Sequence, residues 1–249
     1  MKNALTPELP LRHTRMLITK TLFTLYQLEL ASGDGSIEAE GTAETRDAKR
    51  IDFKVKWDQL PLREWLPKSW GGNFAGTAAG DLHWTGQDFK LNAANIDGAL
   101  RVSGGRLSGL KFLEQLAAVT KRKDFEQLEL NECSAELSWE KGQGGLKNIA
   151  IEDKGKFRIE GAVSISEESL GGAIQLGLGR EYLEWMPNPE EVFPRARDGY
   201  LWTTVNLSGT LDQPQQDLSP RLIEAMKESP GAFLGAAFRA LGAWLRGGK

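Results

Sequence analysis

The chain has 249 residues, of which 40% are apolar and 26% are charged, as in an ordinary globular protein of one large or two small domains. The formal net charge is −3 and no basic stripe is present, which argues against a nucleic-acid-binding protein. The single cysteine, Cys133, excludes an internal disulfide.

The first part of the chain reads as the start of a sheet. Residues 1–16 contain no continuous apolar stretch of the signal-peptide kind, and no run of 18 apolar residues occurs anywhere in the sequence. The chain is therefore expected to carry neither a signal peptide nor a transmembrane helix. The segment MLITKTLFTLYQLEL, residues 16–30, predicts a strand at the edge of a sheet, which a preceding segment would extend.

From residue 37 onward, most of the chain alternates apolar and polar residues with period two. In residues 51–57, IDFKVKW, four apolar side chains lie on one face of an extended chain and three charged ones on the other. Similar runs cover residues 37–42, 74–84, 89–93, 96–102, 133–139, 157–165, 174–178 and 201–211, with glycine-rich or polar turns between them. The pattern predicts about ten or eleven strands in an antiparallel meander.

Three segments interrupt the alternation. Residues 60–70, LPLREWLPKSW, leave room for no more than one helical turn. The spacing of apolar residues predicts a mid-chain helix over 108–121, with Ser108 as its N-cap, and two helical pieces split at Pro230 near the C-terminus. We therefore expect a mainly β fold, with one β domain over residues 1–217 and a helical segment over 218–249.

Glycines recur on the inward phase of the strands, at Gly41, Gly76, Gly80, Gly161 and Gly209. A glycine there removes side-chain volume and permits a bend. A helix is roughly 10 Å wide and strands lie ~4.8 Å apart, so three helical pieces would cover about six strands. The sheet is thus expected to be long and strongly curved, with an apolar groove inside it, and Pro214 is expected to end its last strand.

The residues give little support for catalysis. The two histidines, His13 and His83, show no metal-ligand spacing, and His83 is expected on the outer face of its strand. Glu190 and Glu191 with Asp198 are the nearest approach to a glycosidase acid pair, but nothing in the sequence fixes their separation. We expect a protein that is not an enzyme and that uses no metal and no cofactor.

Eight tryptophans raise a second hypothesis. Trp65, Trp70 and Trp185 fall in connections between strands, where a carbohydrate-binding β-sandwich module would place its stacking platform. Other tryptophans, Trp57 and Trp84 among them, fall on the inward phase of their strands, where a core or a groove lining is the simpler interpretation. Trp202 fits either interpretation, because it lies on the opposite phase to Val205.

Three segments in a fixed order resemble the C-terminal region of AsmA-like proteins. They are LPLREWLPKSWGGNFAGTAAGDLHWTG, VSGGRLSGLKFLEQLAAV and VNLSGTLDQPQQDLSPRL, and the likeness covers most of residues 35–220. It implies a repeating β-groove fold related to TamB and to the bridge-like lipid transfer proteins. Such proteins hold acyl chains in an apolar trough between the two membranes of the bacterial envelope.

The resemblance implies a non-enzymatic protein of the periplasm or cell envelope that binds or transfers a phospholipid or another acyl lipid. A structural envelope-assembly factor without lipid cargo is an alternative. Family members normally begin with a membrane anchor, so an N-terminal anchored portion is expected to be missing from this chain. The residues expected to line the groove are Ile37, Phe53, Val55, Trp57, Leu82, Trp84, Leu91, Leu137, Trp139, Phe157, Ile159, Val163, Val205 and Leu207.

The predicted C-terminal helix, residues 231–246, carries an apolar stripe, and its only charges are basic. It fits either a plug over the open end of the sheet or a helix lying in an anionic membrane surface. The side chains expected to contact such a membrane are Phe233, Phe238, Leu241 and Trp244.

Overall fold

The computed structural model describes residues 9–46, 49–66, 72–87, 90–109, 117, 122–166, 169–186, 188–210, 214–218, 220 and 221. Within these residues lie fourteen strands, two complete α-helices of four residues each and three 3-10 helices. The predicted helix over 108–121 falls, apart from Ser108, Gly109 and Ala117, outside the described residues. So does nearly all of the C-terminal segment 218–249.

The strands are β1 (Leu11–Ile18), β2 (Leu22–Ser32), β3 (Gly35–Glu44), β4 (Arg50–Pro61), β5 (Phe74–Gln87), β6 (Ala94–Ser108), β7 (Gln127–Leu130), β8 (Glu132–Glu140), β9 (Gln143–Asp153), β10 (Phe157–Ser166), β11 (Leu170–Gly179), β12 (Arg195–Arg197), β13 (Tyr200–Gly209) and β14 (Pro214–Gln216). The α-helices are α1 (Leu62–Trp65) and α2 (Pro189–Val192), and the 3-10 helices cover Leu91–Ala93, Lys123–Phe125 and Arg180–Tyr182.

All fourteen strands belong to one antiparallel sheet, which is not closed. Its order is β1-β2-β3-β4-β5-β6-β8-β9-β10-β11-β13-β12, with β7 paired to β6 and β14 paired to β13. Most neighbours in the sheet are neighbours along the chain, so the prediction of a mainly β antiparallel meander is confirmed. The single helical turn expected between residues 60 and 70 is α1.

The stretch predicted as one strand over residues 16–30 is two strands, β1 and β2, joined by a turn at residues 19–21. The Thr19 hydroxyl oxygen accepts hydrogen bonds from the backbone N–H groups of Thr21 (3.3 Å) and Leu22 (2.9 Å). A threonine that bonds the main chain two or three residues ahead mimics a backbone turn, and this local bond reverses the chain. The edge position predicted for this stretch is held by β1.

Two further expectations about strands were wrong. Residues 89–93 were expected to be a strand, but Leu91–Ala93 form a 3-10 helix between β5 and β6. Pro214 was expected to end the last strand, but it begins β14, where it lies opposite Gly209 of β13. The first residue of a short strand is a position that tolerates a missing backbone N–H.

The chain divides into two compact units. Unit 1 comprises residues 1–105 and 134–147, and unit 2 comprises residues 106–133 and 148–249. The single β domain predicted over residues 1–217 stays a prediction. Each unit is described separately below.

Among the described residues of unit 1, six apolar residues are buried. They are Leu25, Ile51, Leu60, Ala78, Ala94 and Ile96. Two of the six are alanines, which bury little apolar area each. Unit 1 therefore buries few apolar side chains for the number of strands that it contains.

Unit 2 contains two buried clusters, each built around large side chains. The first consists of Leu183, Met186, Val192, Phe193 and Leu201. The second consists of Ala117, Phe125, Leu128 and Tyr182, with the Phe125 and Tyr182 rings in an edge-to-face contact 4.9 Å between centroids. Aromatic pairs of this geometry add to the stabilisation from burial alone.

Candidate functional site

The central strands of unit 1 place the predicted groove residues on a single face of the sheet. In the register of β3, β4 and β5, Val55 lies opposite Ala39 on one side and Leu82 on the other. Trp57 lies opposite Ile37, and Phe53 opposite Trp84. Since directly opposed residues share a face, these predicted residues form one surface, which we call the unit 1 apolar face.

This face continues across the neighbouring strands. On β6 and β8, Ile96 lies opposite Trp139 and Gly98 opposite Leu137. A Cβ on Gly98 would come within 3.2 Å of the Leu82 Cα, so β6 lies directly beside β5 at this level. The β2 side chains opposite the same face of β3 are Phe23, Leu25, Leu28 and Leu30. The unit 1 apolar face therefore spans β2–β6 and β8.

The contribution of β2 was missed by the sequence analysis, for an identifiable reason. On β2, the residues that lie on this face are Phe23 and Leu25, at odd-numbered positions, and then Leu28 and Leu30, at even-numbered positions. A register shift between Leu25 and Leu28 changes the phase. A bulge inserts an extra residue into a strand, so a strict period of two fails across it.

The opposite face of unit 1 is charged. Lys56 lies between Glu38 and Asp81 across the strands, and Lys54 lies between Glu40 and His83. Opposite charges placed directly across neighbouring strands attract one another. We call this surface the unit 1 polar face.

His83 lies on the polar face, as predicted. Its Nε2 atom is 2.8 Å from an Asp52 carboxylate oxygen, and its side chain is 43% exposed. A cavity of about 690 Å³ also opens beside Asp52, and its lining includes Glu44 and Arg50. Charged side chains of this kind do not suit an acyl chain.

Three glycines of the unit 1 apolar face lie directly beside aromatic rings. A Cβ on Gly80 would lie 2.6 Å from the Trp57 ring, and a Cβ on Gly41 would lie 2.6 Å from the Phe53 ring. A Cβ on Gly144 would lie 2.9 Å from the Trp139 ring. In each case an aromatic ring fills the volume next to the glycine, as in the aromatic rescue of strand glycines.

Leu25 and Ile96 of the unit 1 apolar face are buried, but most of its large side chains are half-buried. Those in this state include Ile37, Phe53, Val55, Trp57, Leu82, Trp84, Leu137 and Trp139. The Phe23 and Phe53 rings stack with 6.4 Å between centroids, so part of their surface is covered by each other. Each of the half-buried side chains keeps part of its surface accessible.

Leu91 lies outside the strands that form this face. It lies in the 3-10 helix before β6, and 51% of its surface is exposed. Its backbone oxygen accepts a hydrogen bond from the indole N–H of Trp139, at 2.9 Å. Leu91 therefore contacts Trp139 through its main chain, and its place in the groove lining stays a prediction.

The other residues that were predicted to line the groove share a face of unit 2. Val163 and Leu207 both lie opposite Gly172 of β11, and Val205 lies opposite Ile174. Phe157 and Ile159 follow the same phase of β10. We call this surface the unit 2 apolar face; its role as a lipid lining stays a prediction, as does that of the unit 1 apolar face.

Part of the unit 2 apolar face is covered by the protein itself. The opposed residues Leu178 and Leu201 pack with Leu183, Met186 and Phe193. Leu183, Met186 and Phe193 come from the connection between β11 and β12. Among the described residues, no connection of unit 1 provides a comparable cluster of buried side chains.

The tryptophans of the carbohydrate hypothesis differ in their exposure. Trp185 is half-buried against the first cluster of unit 2, and its indole N–H donates to the Tyr182 backbone oxygen at 2.8 Å. Trp65 is 40% exposed, and its indole N–H donates to the Ser32 hydroxyl at 3.1 Å. Trp70 lies outside the described residues.

Trp202 is a buried residue in the structure. It is 3% exposed and lies under the Arg197 guanidinium, 4.2 Å from the ring centroid. Its indole N–H donates to the Arg197 backbone oxygen at 2.9 Å.

The three carboxylates with a possible role in acid–base chemistry each contact a different partner. Glu190 pairs with Arg180 at 3.1 Å, Glu191 accepts from the Asn188 amide at 3.0 Å, and Asp198 pairs with Arg197 at 3.3 Å. In the part of the chain that the structure describes, no group of three or more His, Cys, Asp or Glu residues is placed to hold a metal ion.

The residues expected to contact a membrane, Phe233, Phe238, Leu241 and Trp244, lie outside the described residues. Within the described part, no helix combines the length and the apolar character needed to cross a bilayer.

Comparison of the sequence with protein-family models finds no match, and comparisons with curated proteins and with solved structures find none either.

Proposed function

We propose that the protein is a non-enzymatic lipid-binding protein, which holds the acyl chain of a phospholipid or another lipid on the unit 1 apolar face. The observation that carries this proposal is the contrast between the two faces of one set of strands. One face is a charged ladder, and the other is an apolar surface on which most of the aromatic and aliphatic side chains are only half-buried. Large accessible apolar surfaces on folded proteins mark binding sites.

The dimensions and energies of this face suit an acyl chain. Six strands at ~4.8 Å spacing extend over about 24 Å, whereas one acyl chain spans a leaflet of roughly 15 Å. Each methylene moved from water to an apolar surface contributes about 0.8 kcal/mol. Eight methylenes would therefore contribute about 6 kcal/mol toward offsetting the cost of association.

The resemblance to AsmA-like proteins supports a place for this binding in the periplasm of the bacterial envelope. It also supports transfer of the lipid between membranes and a further, N-terminal anchored portion of the protein. The predicted C-terminal helix over residues 231–246 supports contact with an anionic membrane, because its only charged residues, Arg239 and Arg246, are basic and Lys249 follows them. Flotation of the full chain and of a chain ending at Ser229 with anionic vesicles tests this contact.

Two substitutions at neighbouring positions of β4 test the lipid site. Val55 lies on the apolar face and Lys54 on the polar face. A carboxylate at position 55 would be desolvated beneath a bound acyl chain, at a cost of several kcal/mol. We expect Val55→Asp to abolish lipid loading and Lys54→Asp to leave it unchanged.

Native mass spectrometry and lipid extraction of the purified full chain provide the measurement, with circular dichroism to confirm that both variants fold. A second variant, Leu82→Asp, places the same charge on the opposed position of β5 and should lose lipid as well. Lipid that stays bound to folded Val55→Asp and Leu82→Asp would contradict the proposal. An unsubstituted protein free of lipid after both extraction and incubation with phospholipid vesicles would favour an envelope-assembly factor without cargo.

A further inference from the structure

The first strand of the sheet exposes an unusual amount of apolar surface. Four of its eight residues are large, apolar and exposed: Leu11 (57%), Met16 (48%), Leu17 (47%) and Ile18 (68%). Of the nine large apolar side chains that are exposed among the described residues, six lie on β1 and β2. The exposed apolar surface is therefore concentrated at one margin of unit 1.

This margin is an edge of the sheet. In the described part of the chain, β1 pairs with β2 alone and stands at the end of the strand order. The outer side of an edge strand presents backbone N–H and C=O groups that can pair with another strand. An edge that is eight residues long and largely apolar is thus a template for strand addition.

The charges on β1 are all of one sign. Arg12 and Arg15 are its charged residues, His13 lies between them, and the strand carries no acidic residue. The Arg12 side chain is 47% exposed and is 3.4 Å from Glu29 of β2, while Arg15 lies 5.2 Å from the centroid of the Tyr26 ring. A strand added beside β1 would place its own side chains across from these cations.

We propose that the free edge of β1 binds an extended segment of a partner protein in which apolar residues alternate with acidic ones. Directly opposed opposite charges stabilise a strand pair and like charges destabilise it, so the acidic residues would lie opposite Arg12 and Arg15. The apolar residues of the partner would continue the face formed by Leu11, Met16 and Ile18, which oppose Leu30, Leu25 and Phe23 of β2.

The same charges disfavour a second copy of this chain as the occupant. Antiparallel pairing of two β1 strands centred on Arg15 would oppose the two Arg15 guanidinium groups directly. Charged residues on an edge strand are a device that natural sheets use against self-association. The register shifts of β1 at Leu11/His13 and Arg15/Met16 add local twist, which also works against flat self-pairing.

The test uses the full chain and three labelled ten-residue peptides in fluorescence anisotropy. The first alternates valine and glutamate, the second alternates valine and lysine, and the third is the first with alternate backbone nitrogens methylated. We expect the valine–glutamate peptide to bind at least tenfold more tightly than either of the others. Methylation removes the backbone N–H groups that would bond to β1 but keeps the side chains. Comparison of the first and third peptides therefore separates strand pairing from simple charge attraction.

A charge-reversed variant sharpens the test. In Arg12→Glu/Arg15→Glu the preference should invert in favour of the valine–lysine peptide, whereas the control Lys147→Glu/Lys154→Glu, with the same change in net charge at exposed positions, should keep the original preference. Equal binding of all three peptides, or no binding of the valine–glutamate peptide, would overturn the proposal. So would a dimer in sedimentation velocity that Ile18→Lys abolishes, since the edge would then serve a second copy. Lipid loading does not enter any of these readouts, so the proposal stands or fails independently of the lipid site.

Discussion

Unit 2 folds a connection over its apolar face, and unit 1 does not do so within its described residues. Between β11 and β12, residues 180–194 carry Leu183, Met186 and Phe193 onto Leu178 of β11 and Leu201 of β13. In unit 1, the turns after β1, β2, β3 and β8 have only two to five residues, and the longer connection after β4 contributes a four-residue helix without a buried residue. The strands of both units alternate in the same way, so the difference arises from what lies between them.

This comparison separates two reasons for an apolar strand face. In unit 2, Leu178 and Leu201 of the apolar face pack against the connection between β11 and β12, and this packing stabilises the fold. On the same face, the residues that are half-buried include Phe157, Ile159, Val163 and Leu207. In unit 1, many of the side chains of the apolar face are half-buried and keep accessible apolar surface, and no described connection of this unit adds a cluster of buried side chains to them. Substitutions in the covered part of unit 2 should therefore act mainly on stability, and substitutions on the unit 1 apolar face should, under the proposed function, act mainly on lipid binding.

The largest expected effect is the loss of Phe193. This ring is 1% exposed in the first cluster of unit 2, so Phe193→Ala should lower the free energy of unfolding by about 3–5 kcal/mol. Phe53→Ala removes the same ring from the half-buried unit 1 apolar face and should cost about half as much. Urea denaturation followed by circular dichroism measures both, and equal losses would remove the distinction between the two units.

Alternation and turn chemistry were enough to predict the antiparallel meander, the single helical turn of α1 and the faces of Val55, Lys54 and His83. Each of these depends on local periodicity or on a proline-bounded segment. Periodicity did not reveal the two short strands near the C-terminal edge of the sheet, β12 and β14, because three residues are too few to show it.

The errors at the site have a different origin. Leu91 fits an alternating pattern, but its segment closes into a 3-10 helix whose backbone oxygen is tied to Trp139. The bulge in β2 hides Leu28 and Leu30 from a period-two pattern. Whether a connection covers a face depends on contacts between residues brought together by the fold, as between Phe193 and Leu201, and no local pattern records them.

The second prediction concerns the packing of rings onto glycines. In Gly80→Ala, the new Cβ would lie 2.2 Å from the Ala99 backbone oxygen and 2.6 Å from the Trp57 ring, so both must shift. Overpacking of this kind costs about 2 kcal/mol. Differential scanning calorimetry should show a lowered Tm. The matched control is Gly72→Ala, where nothing lies within 4 Å of the added Cβ, and a loss of similar size there would show that the ring contact is not the cause.

The third prediction concerns a polar contact in unit 2. Burial, and secondarily the hydrogen bond that its hydroxyl donates to Asp124 at 2.6 Å, raise the pKa of Tyr182 to about 12. A group whose pKa is raised on folding contributes stability below its unfolded pKa, near 10, and loses that contribution as pH rises through the folded value. We expect the unsubstituted protein to lose stability between pH 10 and about 12.

Tyr182→Phe keeps the ring against Phe125 but removes the hydroxyl. It should cost about 1.5 kcal/mol at neutral pH, the lower end for a hydrogen bond to a charged group, and should flatten the profile above pH 10. Urea midpoints measured at intervals from neutral pH to about 12 provide the check. An unchanged alkaline slope in the variant would assign the loss of stability to other groups.

The smallest expected effect comes from a substitution on the unit 1 polar face. The same substitution tests whether that face takes any part in lipid binding. Glu40 lies opposite Lys54, so Glu40→Lys places two ammonium groups across neighbouring strands. Like charges at such positions destabilise by about 0.5 kcal/mol, and because both side chains are exposed the effect should shrink as salt screens them. The double variant Glu40→Lys/Lys54→Glu restores an opposite-charge pair and should recover most of the stability lost by the single variant, as measured by urea denaturation at low salt.

Lipid loading should be the same in the unsubstituted protein and in both variants, because none of the substitutions changes a side chain of the apolar face. A single variant that loses lipid while the double variant regains it would mean that the charged ladder, and not only the half-buried apolar surface, belongs to the binding site.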